Sequence, residues 1–121
     1  ADSYSAQLGK SQYPYKKWQW IDLGQYIGGP VMLKISANIV IVAGRIIKNE
    51  KLVTGLMKLN LSNGELHHLK VLPSAGDNSY PGLVIDKQIL YVSYYSSHQD
   101  NKSCIYLAQV DLSLLINQES E

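Results

Sequence analysis

The sequence predicts an all-β chain built from β-propeller blades, and three observations carry that prediction. Apolar residues come in short, strand-length runs with no clear helical period. Turn-forming residues separate those runs at hairpin positions. One pattern also recurs at a spacing near 50 residues, with about four strand-like segments per repeat. A β-sandwich whose halves are alike by accident is the alternative reading.

The elements follow in order. Tyr4–Leu8 and Lys17–Leu23 (KWQWIDL) read as the end of a preceding blade over residues 1–27, the second of them as its outer fourth strand. Residues 28–73 form a blade. Within it, Val31–Ile35 is a strand, Ser36-Ala37-Asn38 a turn, and Ile39–Ala43 a continuous apolar run buried on both faces. Lys48–Lys51 reads as a polar loop and Leu52–Leu61 as the next strand. Ser62-Asn63-Gly64 is a hairpin signal, and Leu66–Leu72 is a fourth strand stopped by Pro73. Residues 79–113 form the next blade: Pro81–Ile85, a turn at Asp86-Lys87, Ile89–Tyr95, a polar loop at Ser96–Lys102, then Ser103–Leu112. Residues 114–121 are a tail. Asp111–Asn117 (DLSLLIN) carries a cap residue and an apolar run but is too short to establish a helix.

The repeat is visible residue by residue. Asn38–Val42 (NIVIV) lies over Gln88–Val92 (QILYV), and Lys58–Ser62 (KLNLS) lies over Gln109–Ser113 (QVDLS). A single blade cannot cover both of its own faces, so neighbouring blades must do so. Two blades therefore predict further blades, from additional sequence or from other copies of the chain.

Composition excludes several classes. The chain has 121 residues, enough for one domain with an ordinary core, and 45% are hydrophobic, too many for disorder. A net charge of +1 supplies no long-range field for nucleic acid, and the adjacent Lys16-Lys17 pair reads as solvated surface. No apolar run approaches a membrane span, and no signal peptide is visible. The single cysteine, Cys104, excludes an intrachain disulfide and reads as a small buried hydrophobe. Nine tyrosines and two tryptophans, with no phenylalanine, suit half-exposed sheets and sugar-facing clefts as well as plain β preference.

Two stretches carry a family resemblance: Tyr15–Pro30 (YKKWQWIDLGQYIGGP) and Pro73–Tyr95 (PSAGDNSYPGLVIDKQILYVSYY), the second continuing to Ile105-Tyr106-Leu107-Ala108. Together they resemble the C-terminal part of bacterial sialidase-like proteins, which fold as six-bladed propellers. The resemblance implies two four-stranded antiparallel blades of such a propeller and a carbohydrate ligand. In true sialidases the family pattern implies three arginines clamping the sugar carboxylate, a tyrosine nucleophile, a glutamate that assists it and an acid aspartate. Guanidinium groups suit that clamp because they bind carboxylate through paired hydrogen bonds. A neutral phenol suits the nucleophile because it avoids repulsion with an anionic substrate.

The resemblance places Tyr80 at the nucleophile position and makes Arg45 a candidate for the third clamp arginine, although the family arginine is expected nearer Lys51–Thr54. Asp77, Tyr94 and His98 complete the candidate substrate-facing set. Arg45 is the only arginine, so this chain alone is not a complete sialidase, and the Ser-x-Asp-x-Gly-x-Thr-Trp turn common in that family is absent. The functional expectation is part of a carbohydrate-directed propeller, hydrolysing an acidic sugar if catalytic. The alternatives are a glycan-binding propeller assembled from several chains, three of which would close six blades, and an inactive piece of a longer protein. For the parent protein, secretion or the periplasm fits.

No cofactor or metal is implied. His67 and His68 are adjacent in a strand, so they point to opposite faces and cannot chelate one ion. Asp77, Asp86 and Asp100 read as turn carboxylates, and no Walker loop, dinucleotide fingerprint or zinc spacing occurs. Asn60-Leu61-Ser62 and Asn101-Lys102-Ser103 match the glycosylation acceptor pattern.

Overall fold

In the computed structural model the chain is all-β apart from one helical turn, and residues 5–74, 78, 80–96 and 104–116 are described. Among the described residues, nine strands form three antiparallel sheets, none of them closed into a barrel. Strands β1 (Gln7–Ser11) and β2 (Trp18–Asp22) make a hairpin. Strands β3 (Gly28–Lys34), β4 (Ile39–Lys48), β5 (Lys51–Asn60) and β6 (Leu66–Leu72) make a four-stranded meander. Strands β7 (Gly82–Asp86), β8 (Ile89–Ser96) and β9 (Cys104–Asp111) make a three-stranded one, followed by helix α1 (Leu112–Ile116).

Several boundaries differ from the sequence reading. The first strand is Gln7–Ser11 rather than Tyr4–Leu8, and the strand that opens with Ile39–Ala43 does not stop there: β4 continues through Lys48, and Arg45 pairs with Thr54 inside the ladder. The expected polar loop at Lys48–Lys51 is a two-residue turn, with Asn49 at φ 52° and Glu50 at φ 64°. Two consecutive residues at positive φ match the twist of paired strands. Lys87 (φ 49°) and Gln88 (φ 71°) make the same turn between β7 and β8.

The layers stack face to face. Val40, Val42, Met57 and Leu59 of the central sheet pack with Leu8 and Ile27, and Ala6, Ile21 and Leu23 add to that cluster. The opposite face, with Ile41, Ala43 and Leu56, packs against Leu90, Val92 and Tyr94 of the second sheet and Leu112 and Leu115 of α1. Strand β4 is therefore buried on both sides, as its unbroken apolar run requires. First strands β3 and β7 contact each other across the layers.

The repeat extends to individual hydrogen bonds. Asn60 Oδ1 accepts from the Ser62 N–H at 2.9 Å and the Ser62 hydroxyl at 2.6 Å. Asp111 Oδ1 accepts from the Ser113 N–H at 3.0 Å and the Ser113 hydroxyl at 2.7 Å. The Leu61 N–H donates to the Asn38 carbonyl (2.7 Å) and the Leu112 N–H to the Gln88 carbonyl (2.8 Å). In the first unit the turn feeds β6; in the second it caps α1, with Asp111 as the N-cap. Thus DLSLLIN does open a helix, of five residues.

Candidate functional site

Strand direction sorts the connections to two ends. Tight turns at residues 35–38, 61–65 and 87–88 lie at one end. At the other lie the segment from β2 into β3, the β4–β5 turn, the end of β6, the end of β8 at Ser96 and the start of β9 at Cys104. Chemistry-bearing residues gather at this second end.

Arg45 stands near the end of the central strand β4, opposite Gly28 of β3. It donates from Nε (3.1 Å) and Nη2 (2.6 Å) to the Tyr26 hydroxyl, and its guanidinium lies 5.8 Å from the Tyr26 ring centre. A Cβ on Gly28 would collide with the Tyr26 hydroxyl and crowd Arg45 Nε, so the close fit requires glycine. The hydrogen bond to Tyr26 raises the Arg45 pKa above its ordinary value against an opposing contribution from burial; Tyr26, Tyr95 and Tyr80 add favourable electrostatics. The guanidinium is thus a cation held against one phenol, Tyr26, and half-buried.

Tyr80 lies shortly before β7, and two residues between β6 and it, Ser74 and Asn78, are hydrogen-bonded to β5. Asn78 is fully buried; its Nδ2 donates to the Leu52 carbonyl (3.2 Å), and its Oδ1 accepts from the Thr54 hydroxyl (3.3 Å). Ser74 Oγ accepts from the Thr54 N–H (2.8 Å) and donates to the Leu72 carbonyl (2.8 Å). Both anchors tie Ser74 and Asn78 to the start of β5. Tyr80 follows with φ 50° and a 76% exposed side chain. Its repeat counterpart is Gly29, at φ 52°, and each precedes a proline, Pro30 or Pro81. Glycine adopts that backbone freely; tyrosine does so at a cost of about 1 kcal/mol or more, a pattern typical of functional positions.

The other candidates divide. Tyr94 is in the core: its hydroxyl donates to the Pro73 carbonyl (3.0 Å), and its ring stacks on Tyr106 with centres 5.5 Å apart. Burial, with a smaller contribution from Tyr106, raises its pKa. The neighbouring Tyr95 alternates to the opposite face of β8 and is half-buried; it adds favourable electrostatics to Arg45. Asp77 and His98 lie outside the described residues. Sequence reasoning missed Tyr26, Tyr95 and Asn78. The repeat held a signal for one of them, since Tyr95 occupies the same strand position as Arg45, 50 residues on.

Among the described residues, no carboxylate bonds to Tyr80 or Arg45, and no group of three His, Cys, Asp or Glu side chains could hold a metal ion. His67 and His68 are adjacent in β6, paired with Lys58 and Met57. His68 Nε2 lies 2.6 Å from Gln25 Oε1, beside a bulge in the β5–β6 ladder, and burial followed by the Lys48 charge lowers its pKa. Cys104 is half-buried at the start of β9 rather than enclosed. No helix among the described residues is long and apolar enough to cross a membrane. No family model, curated protein or solved structure gives a significant match to this chain.

Proposed function

We propose that the chain is part of a sialidase-like, carbohydrate-directed β-propeller whose rim binds an acidic sugar through its carboxylate. The observation that carries this reading is the sole arginine, held at a sheet end by its two hydrogen bonds to Tyr26, with Tyr95 and Tyr80 adding favourable electrostatics. A guanidinium offers paired N–H donors to a carboxylate, and phenols supply both hydrogen bonds and flat surfaces for sugar rings. The propeller architecture draws support from the repeated turn hydrogen bonds and from first strand β3 lying against first strand β7, the approach expected where blades converge on an axis.

One arginine favours binding over hydrolysis for this chain by itself. The test is a calorimetric titration with N-acetylneuraminic acid and with its methyl ester. The acid binds; the ester, lacking the anion, binds at least about tenfold more weakly, matching the loss of one charge-assisted hydrogen-bond pair. Arg45→Ala abolishes the difference. Equal affinity for acid and ester would remove the carboxylate reading.

A catalytic version has its own support in the exposed, backbone-strained Tyr80. It predicts that Tyr80→Phe eliminates release of an aryl leaving group from an aryl sialoside while leaving affinity for the free acid within about twofold. Unchanged turnover in that variant would take Tyr80 out of the chemistry.

A further inference from the structure

The two internal interfaces obey one rule, and the rule has unsatisfied ends. Val40, Val42, Leu59 and Leu61 face the hairpin. Their counterparts 50 or 51 residues later, Leu90, Val92, Val110 and Leu112, face the central sheet. Each unit therefore presents equivalent residues to the layer before it. On the reverse face, Ile41, Ala43 and Leu56 are covered by the following sheet. Their counterparts are Tyr91, Ser93 and Leu107, and Leu107 is 64% exposed. Ile105 and Val84 extend this face, 86% and 60% exposed. At the other end, the outward face of the hairpin carries Trp18 and Trp20, stacked with centres 5.8 Å apart and Trp20 resting on Gly9. By its place in the stack, that face points toward a preceding layer.

We infer that these two faces bind each other between copies of this chain, the Trp18/Trp20 face of one on the Ile105/Leu107 face of the next. The occupant follows from continuity: the outer face of β7–β9 is the repeat equivalent of a face already buried against a backward-pointing surface, and the hairpin supplies such a surface. Both are apolar, and their burial removes exposed tryptophan, leucine and isoleucine from water. The contact is heterologous, joining different patches on the two copies, so it propagates head to tail. This inference rests on the stacking of the sheets and is independent of the sugar reading, whose failure would leave it standing.

The experiment is light scattering on the full chain over a wide concentration range, with Leu107→Asp and Trp20→Asp variants alone and mixed. Both side chains are exposed, so the separate chains retain the wild-type circular dichroism; Ile105→Asp substitutes for Leu107→Asp if it does not. The wild-type mass rises above one chain with concentration. Each variant alone stays at one chain, because one required face is blocked in every copy. The mixture forms a two-chain complex, since one variant retains an intact Trp face and the other an intact Leu107 face. A wild-type mass fixed at one chain overturns the inference. So does a Leu107→Asp variant that still self-associates, or a mixture that remains at one chain.

Discussion

Leu56 and Leu107 are the same residue at the same place in two copies of one repeat, yet Leu56 is fully buried and Leu107 is 64% exposed. Leu56 sits across from Ala43 and Leu107 across from Ser93, each beside the second strand of its sheet, so alternation does not separate them. What differs is the surroundings: β5 is flanked by β6 and covered by the β7–β9 sheet, whereas β9 is the edge of its sheet and its outer face is exposed. Burial in this fold is a property of position in the stack, and a local pattern of apolar residues specifies a face without saying what covers it. The rims of the two units differ in the opposite sense. Here the backbone repeats while the residues change: Gly29 becomes Tyr80, and Arg45 becomes Tyr95. Equivalent scaffolds thus present different chemistry at one end, as expected where loops and strand ends carry function on a rigid frame.

Core truncation breaks this comparison most strongly. Leu56→Ala should cost about 2–5 kcal/mol, because it removes a fully buried side chain and leaves a cavity. In dilute protein Leu107→Ala should cost less than about 0.5 kcal/mol. Urea unfolding of both variants measures the difference, and similar costs would mean that the second sheet's outer face is covered already.

The rim comes next. Arg45→Ala should lower affinity for N-acetylneuraminic acid by about 1.5–3 kcal/mol while the melting temperature changes little, since the guanidinium bonds only a phenol at a solvent-open site. Arg45→Lys should not restore binding, because an ammonium lacks the planar fork. Tyr80→Gly restores the residue type of the first unit. It should raise stability by up to about 1 kcal/mol through relief of the positive φ, and weaken ligand binding at the same time. A loss of stability instead would show that the Tyr80 side chain contributes packing that its exposure conceals.

A smaller effect separates the units by pH. His68, on the fourth strand of the first unit, has a lowered pKa because burial, and then the Lys48 charge, disfavours its charged form in the fold. The unfolded chain then binds more protons, so stability increases with pH. The contribution is complete above the ordinary histidine value of about 6.5 and is lost as pH falls through the lowered folded value. Melting at pH 5 should therefore occur below melting at pH 7.5, with His68→Gln flattening the dependence. The least effect is expected from Asp111→Asn, within about 0.5 kcal/mol near neutral pH, because Asn60 makes the same pair of bonds to Ser62 in the first unit.

Much of the fold was legible in the sequence. Ile39–Ala43 reads as a doubly buried strand because it has no polar residue to place outside, and Ser62-Asn63-Gly64 reads as a turn from its composition. Other features left no local signal. Glutamate is a poor marker of positive φ, so Asn49-Glu50 looks like part of a longer loop. Gly44-Arg45 interrupts an apolar run, although the ladder continues to Lys48 opposite Lys51. At the rim, Tyr80 and Arg45 stood out by residue type and resemblance. Tyr26 did not, because its role depends on β3 lying beside β4 and on the space left by Gly28. Tyr94 and Tyr95 are adjacent and chemically identical, and only the register of β8 decides which one enters the core.

The most direct test of the central claim, that one end of the first unit is an anionic-sugar site, is a nuclear magnetic resonance titration of the labelled chain with N-acetylneuraminic acid. The site described here predicts saturable amide shifts confined to the neighbourhoods of Tyr26, Arg45, Tyr80 and Tyr95. Shifts centred on Trp18 and Trp20, or no saturable shifts at all, would contradict it.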